Sequence, residues 1–144
     1  MDAVEQGVRA LIEREQRAWE TGNADLLLTV FHPDMVWPFP RTSTSVDPLD
    51  WSIGFGRFDA ERWRALWQHL FDTFDLVHDR WTIRSIQVAP EGDAALAVVD
   101  LDALWRAADG AEEHWHGRVA KGYTQVGEEF KLIFHTGALE YGSG

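Results

Sequence analysis

The sequence predicts an α+β domain. Amphipathic helical patterns occupy the chain up to about residue 74, four strand-like runs follow almost without a break, and glycine turns separate the later runs. Helices first and strands afterwards place helices on one face of a curved, mostly antiparallel sheet.

Val4, Val8, Leu11, Ile12 and Trp19 recur at helical spacing and fall in one apolar stripe. Glu15 sits in the middle of that stripe. Gly22 suits the left-handed residue that ends a helix. Asn23 can cap a short second helix with Leu27, Leu28 and Phe31 on its buried side. Pro33 starts a turn, and 35–39 reads as a short strand. Pro38 and Pro40 cannot donate to a ladder, so that strand is an edge. Segment 41–57 is rich in Ser, Thr, Pro and Gly yet holds Trp51, Ile53 and Phe55. A loop of this length in a compact domain is often a lid or binding loop; docking of its apolar residues under the helices is the alternative. Asp59 caps a third helix carrying Trp63, Leu66, Trp67, Leu70, Phe71 and Phe74 on one face. The strands are 76–89, 93–106, 113–126 and 129–141, with hairpin signals at Asp109-Gly110 and around Gly127-Glu128. There is no repeat, low-complexity segment or linker, so residues 1–144 form one domain.

Composition narrows the function. The chain is 45% hydrophobic with eight Trp, which is enough for one real core. No cysteine is present, so disulfides and thiolate chemistry are excluded. A formal net charge of −11 leaves no basic surface for nucleic acid and disfavours anionic lipid. The charged N-terminus is not a signal peptide and no run is long enough to span a membrane, so a cytoplasmic protein is expected.

Within 94–105 two aspartates interrupt an apolar strand. Leu96, Val98, Asp100, Asp102 and Leu104 share one face; Ala95, Ala97, Val99, Leu101, Ala103 and Trp105 share the other. A carboxylate among buried apolar groups is costly unless paired, hydrated or protonated. Two on one face suggest a working cavity.

Two segments, AWETGNADLLLTVFHPDMVW (18–37) and GRVAKGYTQVGEEFKLIFHTGAL (117–139), carry a family resemblance. The first resembles the helix, turn, short helix and first strand of the nuclear-transport-factor-2-like superfamily, which includes SnoaL-like proteins and ketosteroid isomerase. The second resembles its last hairpin. The resemblance implies a cone-shaped sheet with the N-terminal helices on its concave face. It fixes fold better than function, because members include enzymes of several kinds and pure association domains. Set against ketosteroid isomerase, Glu15 takes the place of the tyrosine donor, Phe39 that of the base, and Lys121 falls at or near the protonated aspartate. The isomerase constellation is therefore absent. The Asp-Arg-Asp arrangement of limonene epoxide hydrolase is not carried over, because Arg118 is expected on the face opposite Asp100 and Asp102.

A two-residue turn at Asp109-Gly110 sets Asp100 opposite Val119 and Leu104 opposite Trp115. The last hairpin sets Lys121 opposite Phe134 and Val119 opposite Thr136. One face then gathers the two aspartates, Trp115, Lys121, Tyr123, Phe134 and Thr136, with Glu15 arriving from the first helix. A few polar groups in an aromatic wall make a small-molecule site. Asp100 would be the acid or base, Lys121 and Glu15 would set its pKa, and Asp102 would orient substrate or water. The alternative is a structural Asp–Lys–Glu network without chemistry. Trp19, Trp63 and Trp67 read first as core. Trp19 and Trp67 are also candidate ligand contacts, with Trp115, Tyr123, Phe134 and Thr136. By family analogy Trp37 and Phe39 line the pocket mouth. His114-x-His116 has zinc-like spacing but lacks convergent partners, and His135 is displaced, so no metal is expected. No phosphate-cradling loop or dinucleotide fingerprint is present, so no cofactor is expected. The other face, with Val99, Leu101, Ala103, Trp105, His116, Arg118, Ala120, Ile133, His135, Leu139 and Tyr141, is too apolar for water. A homodimer through it, centred on Trp105, Ile133 and Leu139, is the expectation. The expected function is SnoaL-like acid/base chemistry on a partly apolar small molecule; the alternative is a non-catalytic binding or association module.

Overall fold

The computed structural model describes residues 2–36, 39–40, 51–52 and 59–143. Helix α1 (Ala3–Thr21) starts where the Asp2 carboxylate accepts from the Val4 N–H at 2.6 Å and stops at Gly22, whose φ of 62° is left-handed. Its buried stripe is Val8, Leu11, Ile12, Ala18 and Trp19, with Glu15 inside it. Asn23 caps α2 (Ala24–Leu28) through the Leu26 N–H at 3.0 Å. Asp59 caps α3 (Ala60–Thr73) through the Arg62 N–H at 2.9 Å. In α3 only Trp63 and Trp67 are fully buried, and Leu66, expected on the apolar stripe, is exposed. No described helix is long and apolar enough to cross a membrane.

The strands are β1 (Phe31–Val36), β2 (Phe39–Pro40), β3 (Trp51–Ser52), β4 (Phe74–Val88), β5 (Ala94–Ala107), β6 (Glu112–Val126) and β7 (Glu129–Ser143). The main sheet has the order β1-β7-β6-β5-β4; β1 runs parallel to β7 and every other pair is antiparallel. It is curved and unclosed, and the helices lie on its concave face, giving the cone fold. Strand β1 starts at Phe31, earlier than the sequence suggests, and takes in Pro33 instead of turning there. An edge strand tolerates that missing donor. Segment 41–57 falls outside the described residues except for Trp51–Ser52, whose backbone pairs with Phe39–Pro40.

The β5–β6 register differs from the expected one by a single residue. The Gly110 N–H bonds the Ala107 carbonyl at 2.9 Å, and the Ala107 N–H bonds Ala111 at 2.8 Å. Only Gly110, with φ of 90°, is left-handed there. The loop is therefore three residues, Ala108-Asp109-Gly110, the geometry of a type I turn closed by a glycine bulge. A two-residue type I′ turn would need positive φ at Asp109 as well. Asp100 now faces Arg118, Asp102 faces His116, and Leu104 faces His114. A one-residue slip exchanges the faces of everything paired across it.

In the β6–β7 hairpin the expected register holds from Val126↔Glu129 to Tyr123↔Leu132. A bulge then absorbs Ile133, so Gly122 pairs with Phe134, Lys121 with His135 and Ala120 with Thr136. The inner face of β5 is Ala95, Ala97, Val99, Leu101, Ala103 and Trp105, all buried. The sequence assigns this row to the outer face; the structure packs it under the helices. Trp105 is 2% exposed within one chain, so it cannot centre a dimer contact. Leu139 pairs with Gly117, and Ile133 is the bulge residue.

Candidate functional site

Four titratable side chains meet on the concave face. Lys121 on β6 is fully buried, as are Glu15 of α1 and His135 of β7. The Lys121 ammonium donates to both Glu15 oxygens, at 2.9 and 3.1 Å, and to His135 Nδ1 at 2.9 Å. An ammonium has three protons and no acceptor, so His135 accepts at Nδ1 and carries its ring proton on Nε2. Burial, then the neighbouring Lys121 charge, holds His135 well below its ordinary pKa, which keeps the ring neutral. Burial lowers the Lys121 pKa, against the opposing pull of Glu15. The Trp19 indole N–H donates to Glu15 Oε2 at 3.1 Å, and Lys121 Nζ stands 4.8 Å from the Trp81 ring centre.

The fourth group, Asp79 on β4, is one that the sequence reading passes over. It pairs with Ala103 and so faces inward beside Trp81. One oxygen accepts from the Trp81 indole N–H at 2.6 Å, while Oδ2 is buried without a hydrogen-bond partner. Burial pushes the Asp79 pKa up to about 7; the Trp81 bond opposes this, and the Glu20 and Glu15 charges reinforce it. The available signal was alternation: Asp79, Trp81 and Ile83 share one strand face with two large apolar groups. Two residues past Lys121 on the same face, the Tyr123 hydroxyl is also buried without a partner, and burial raises its pKa well above the ordinary value.

The network therefore divides in two. Every Lys121 proton is engaged within the chain. Unmet hydrogen-bonding capacity on this face includes Asp79 Oδ2, Tyr123 Oη and the Trp105 indole N–H; at the first two a ligand or water finds an acceptor and a hydroxyl.

The aromatic wall is tightly self-packed. Trp19 meets Trp67 edge-on at 4.9 Å, Trp115 at 6.0 Å and Trp105 at 6.3 Å. Trp19, Trp67 and Trp115 thus fill one end of the cone together. An open depression of about 180 Å³ lies beside them, floored by Trp19, Phe71 and Trp105. Trp37 and the Phe39 side chain lie outside the described residues.

Asp100, Asp102, Phe134 and Thr136 are corrected to the opposite, convex face, because of the loop and the bulge described above. Arg118, expected apart from the aspartates, shares their face. Asp100 is clasped by Arg118, at 2.6 and 2.9 Å, and by Arg84 at 2.6 Å. Those hydrogen bonds hold its pKa well below the carboxylate range. Asp102 Oδ1 bonds His78 Nε2 at 2.9 Å and His114 Nε2 at 2.6 Å, and these two bonds lower its pKa. Neither aspartate reaches the cone; Asp100 belongs to a surface ion-pair cluster with Arg84 and Arg118.

The SnoaL-like domain family matches residues 8–127. The chain belongs to that family. The crystal structure of a conserved protein from Planctomyces limnophilus superposes with a TM-score of 0.74 at 16% identity, covering 96% of this chain and 98% of that one. A ketosteroid isomerase-like protein from Erwinia carotovora atroseptica gives a TM-score of 0.71 at 11% identity, covering both chains in full (100%). A type 2 hexachlorocyclohexane dehydrochlorinase gives 0.66 at 10%, covering 96% of this chain and 86% of that one. At these identities the likeness is one of fold. No curated protein matches the sequence.

Proposed function

We propose that this SnoaL-like protein binds a small, partly apolar molecule in the cone and performs acid/base chemistry on it, with Asp79 as the proton-transferring group. The observation that carries this reading is the Asp79 carboxyl, buried beside an indole, with one oxygen unpartnered and a pKa raised to about 7. Such a group is half-deprotonated near neutrality, where a general base or acid works best. The unpartnered Tyr123 hydroxyl supplies a donor to a substrate oxygen. Lys121, Glu15 and His135 fix the local charge without spending a proton. Isomerisation, dehydration and elimination all begin with such a proton transfer, and the fold neighbours include a dehydrochlorinase. The location proposed is the cytoplasm.

The test is a thermal-shift screen of small carbonyl and hydroxyl compounds, since a ligand of the folded state raises the melting temperature. Hits are then followed by NMR for protein-dependent exchange of substrate C–H with deuterated solvent. Exchange that disappears in Asp79→Asn supports the reading. Binding without exchange, or exchange indifferent to Asp79→Asn, refutes it.

One observation favours a second, non-catalytic reading as a ligand-binding or association module: the Lys121–Glu15 pair is saturated within the chain. Binding without exchange would select it. We also propose a homodimer through the outer sheet face, with a different centre from Trp105. Leu96 is 53% exposed on that face, next to Gly122 with Phe134 beyond it, while Val98 pairs with Ala120. This leaves an apolar patch at one end of the sheet.

A further inference from the structure

The other end of the outer face carries a different kind of cluster. His78 on β4, Asp102 on β5 and His114 on β6 stand on three adjacent strands. His78 and His114 both pair with Leu104, and Asp102 is the next residue along on the same face. Their ligand-type atoms, two imidazole Nε2 and one carboxylate oxygen, all lie within 4.8 Å of one another.

We propose that His78, Asp102 and His114 form a binding site for one zinc(II) ion per chain. A two-histidine, one-carboxylate set suits zinc and other borderline divalent ions; it is a poor site for magnesium or calcium, which prefer oxygen ligands. Zinc–ligand distances of about 2.0–2.2 Å put neighbouring ligand atoms of a tetrahedron roughly 3.3 Å apart. The two N···O separations here are 2.9 and 2.6 Å, so the carboxylate must withdraw by a fraction of an ångström to admit the ion. The strands themselves need not move, because all three side chains already converge from a hydrogen-bonded sheet. The side chains are 25%, 40% and 36% exposed, which leaves an entry path and an open fourth position for water. His116 stacks on His114 with ring centres 4.3 Å apart and braces that imidazole. The Arg80 guanidinium lies 4.0 Å from the other Asp102 oxygen and is itself largely exposed, so it can swing clear. The expectation of no metal rested on His114 lacking convergent partners. The bulged pairing of β4 with β5 provides His78, and the corrected β5–β6 register provides Asp102. This site is separate from the concave one and does not depend on the acid/base reading.

The test uses tag-free, full-length protein stripped with a chelator and titrated with zinc chloride by calorimetry. One saturable site is expected, with affinity reduced at least tenfold in His78→Ala and in His114→Ala. His69→Ala, which alters an exposed histidine on α3, should leave it unchanged. Cobalt(II) in the same site should show the visible absorption of a four-coordinate ion, lost in His114→Ala. Far-UV circular dichroism establishes that each variant is folded, and His78→Gln and His114→Gln replace any alanine variant that is not. Absence of saturable binding at micromolar zinc overturns the proposal. So does binding that survives both substitutions, or binding that is lost only with His116→Ala.

Discussion

Asp79→Asn gives the sharpest stability test of the concave site. The folded pKa of Asp79 lies near 7 against an ordinary 3.8, because burial penalises its charge. Between about pH 4 and 7 the native state therefore keeps a proton that the unfolded state has released. The contribution of this group to stability is fully present below the unfolded pKa and is lost as pH rises through the folded one. A shift of this size corresponds to about 4 kcal/mol as a ceiling, at 1.36 kcal/mol per pKa unit. Asp79 is only partly buried, and solvent screening brings the expectation to about 2 kcal/mol. Asn keeps the shape and the acceptor for the Trp81 indole and removes the ionisation. Urea denaturation of both proteins across about pH 4 to 9 is the assay. At the acid end the two should be nearly equal in stability. From there Asp79→Asn should gain on the wild type as pH rises from about 4 to 7, and above about pH 7 it should be the more stable by a constant difference of about 2 kcal/mol. His135, held neutral by burial, adds a slope of opposite sign below its unfolded pKa, about 6.5; both proteins share it, so it cancels in the difference. A stability difference independent of pH, or a wild type that gains on the variant as pH rises, refutes the reasoning.

Lys121→Met strands Glu15 in the core and should cost about 3–5 kcal/mol by urea denaturation. Combining it with Glu15→Met should recover most of that loss; additive losses would mean that the two side chains act independently. A Cβ at Gly122 would overlap the Phe134 ring, so Gly122→Ala should destabilise by about 1–3 kcal/mol, with partial rescue by Phe134→Leu. Equal stability would show that the ring is free to move aside. Sedimentation equilibrium at micromolar concentration should give a dimer for the wild type and a monomer for Leu96→Glu; a monomeric wild type rejects the outer-face contact.

The sequence by itself determined what local chemistry controls. Period 3.6 in α1 and α3, caps at Asn23 and Asp59, the stop at Gly22 and four long alternating runs all act within a few residues, and each is present in the structure. Glu15 in an apolar stripe and Lys121 in the last strand pair were legible as partners for the same reason: helix phase and strand alternation aim both at one interior. Which face of β5 lies inside was decided by tertiary structure. One additional loop residue at Ala108-Asp109-Gly110 and one bulge at Ile133 moved Asp100, Asp102, Phe134 and Thr136 outward and brought His135 inward. The cue present in the sequence was the unbroken apolar row 95–105, which burial favours over a row containing two carboxylates. The convergence of His78 with Asp102 and His114 joins residues on three different strands. Only register can create such contacts, and register depends on backbone angles at a few turn and bulge residues that side-chain periodicity does not encode.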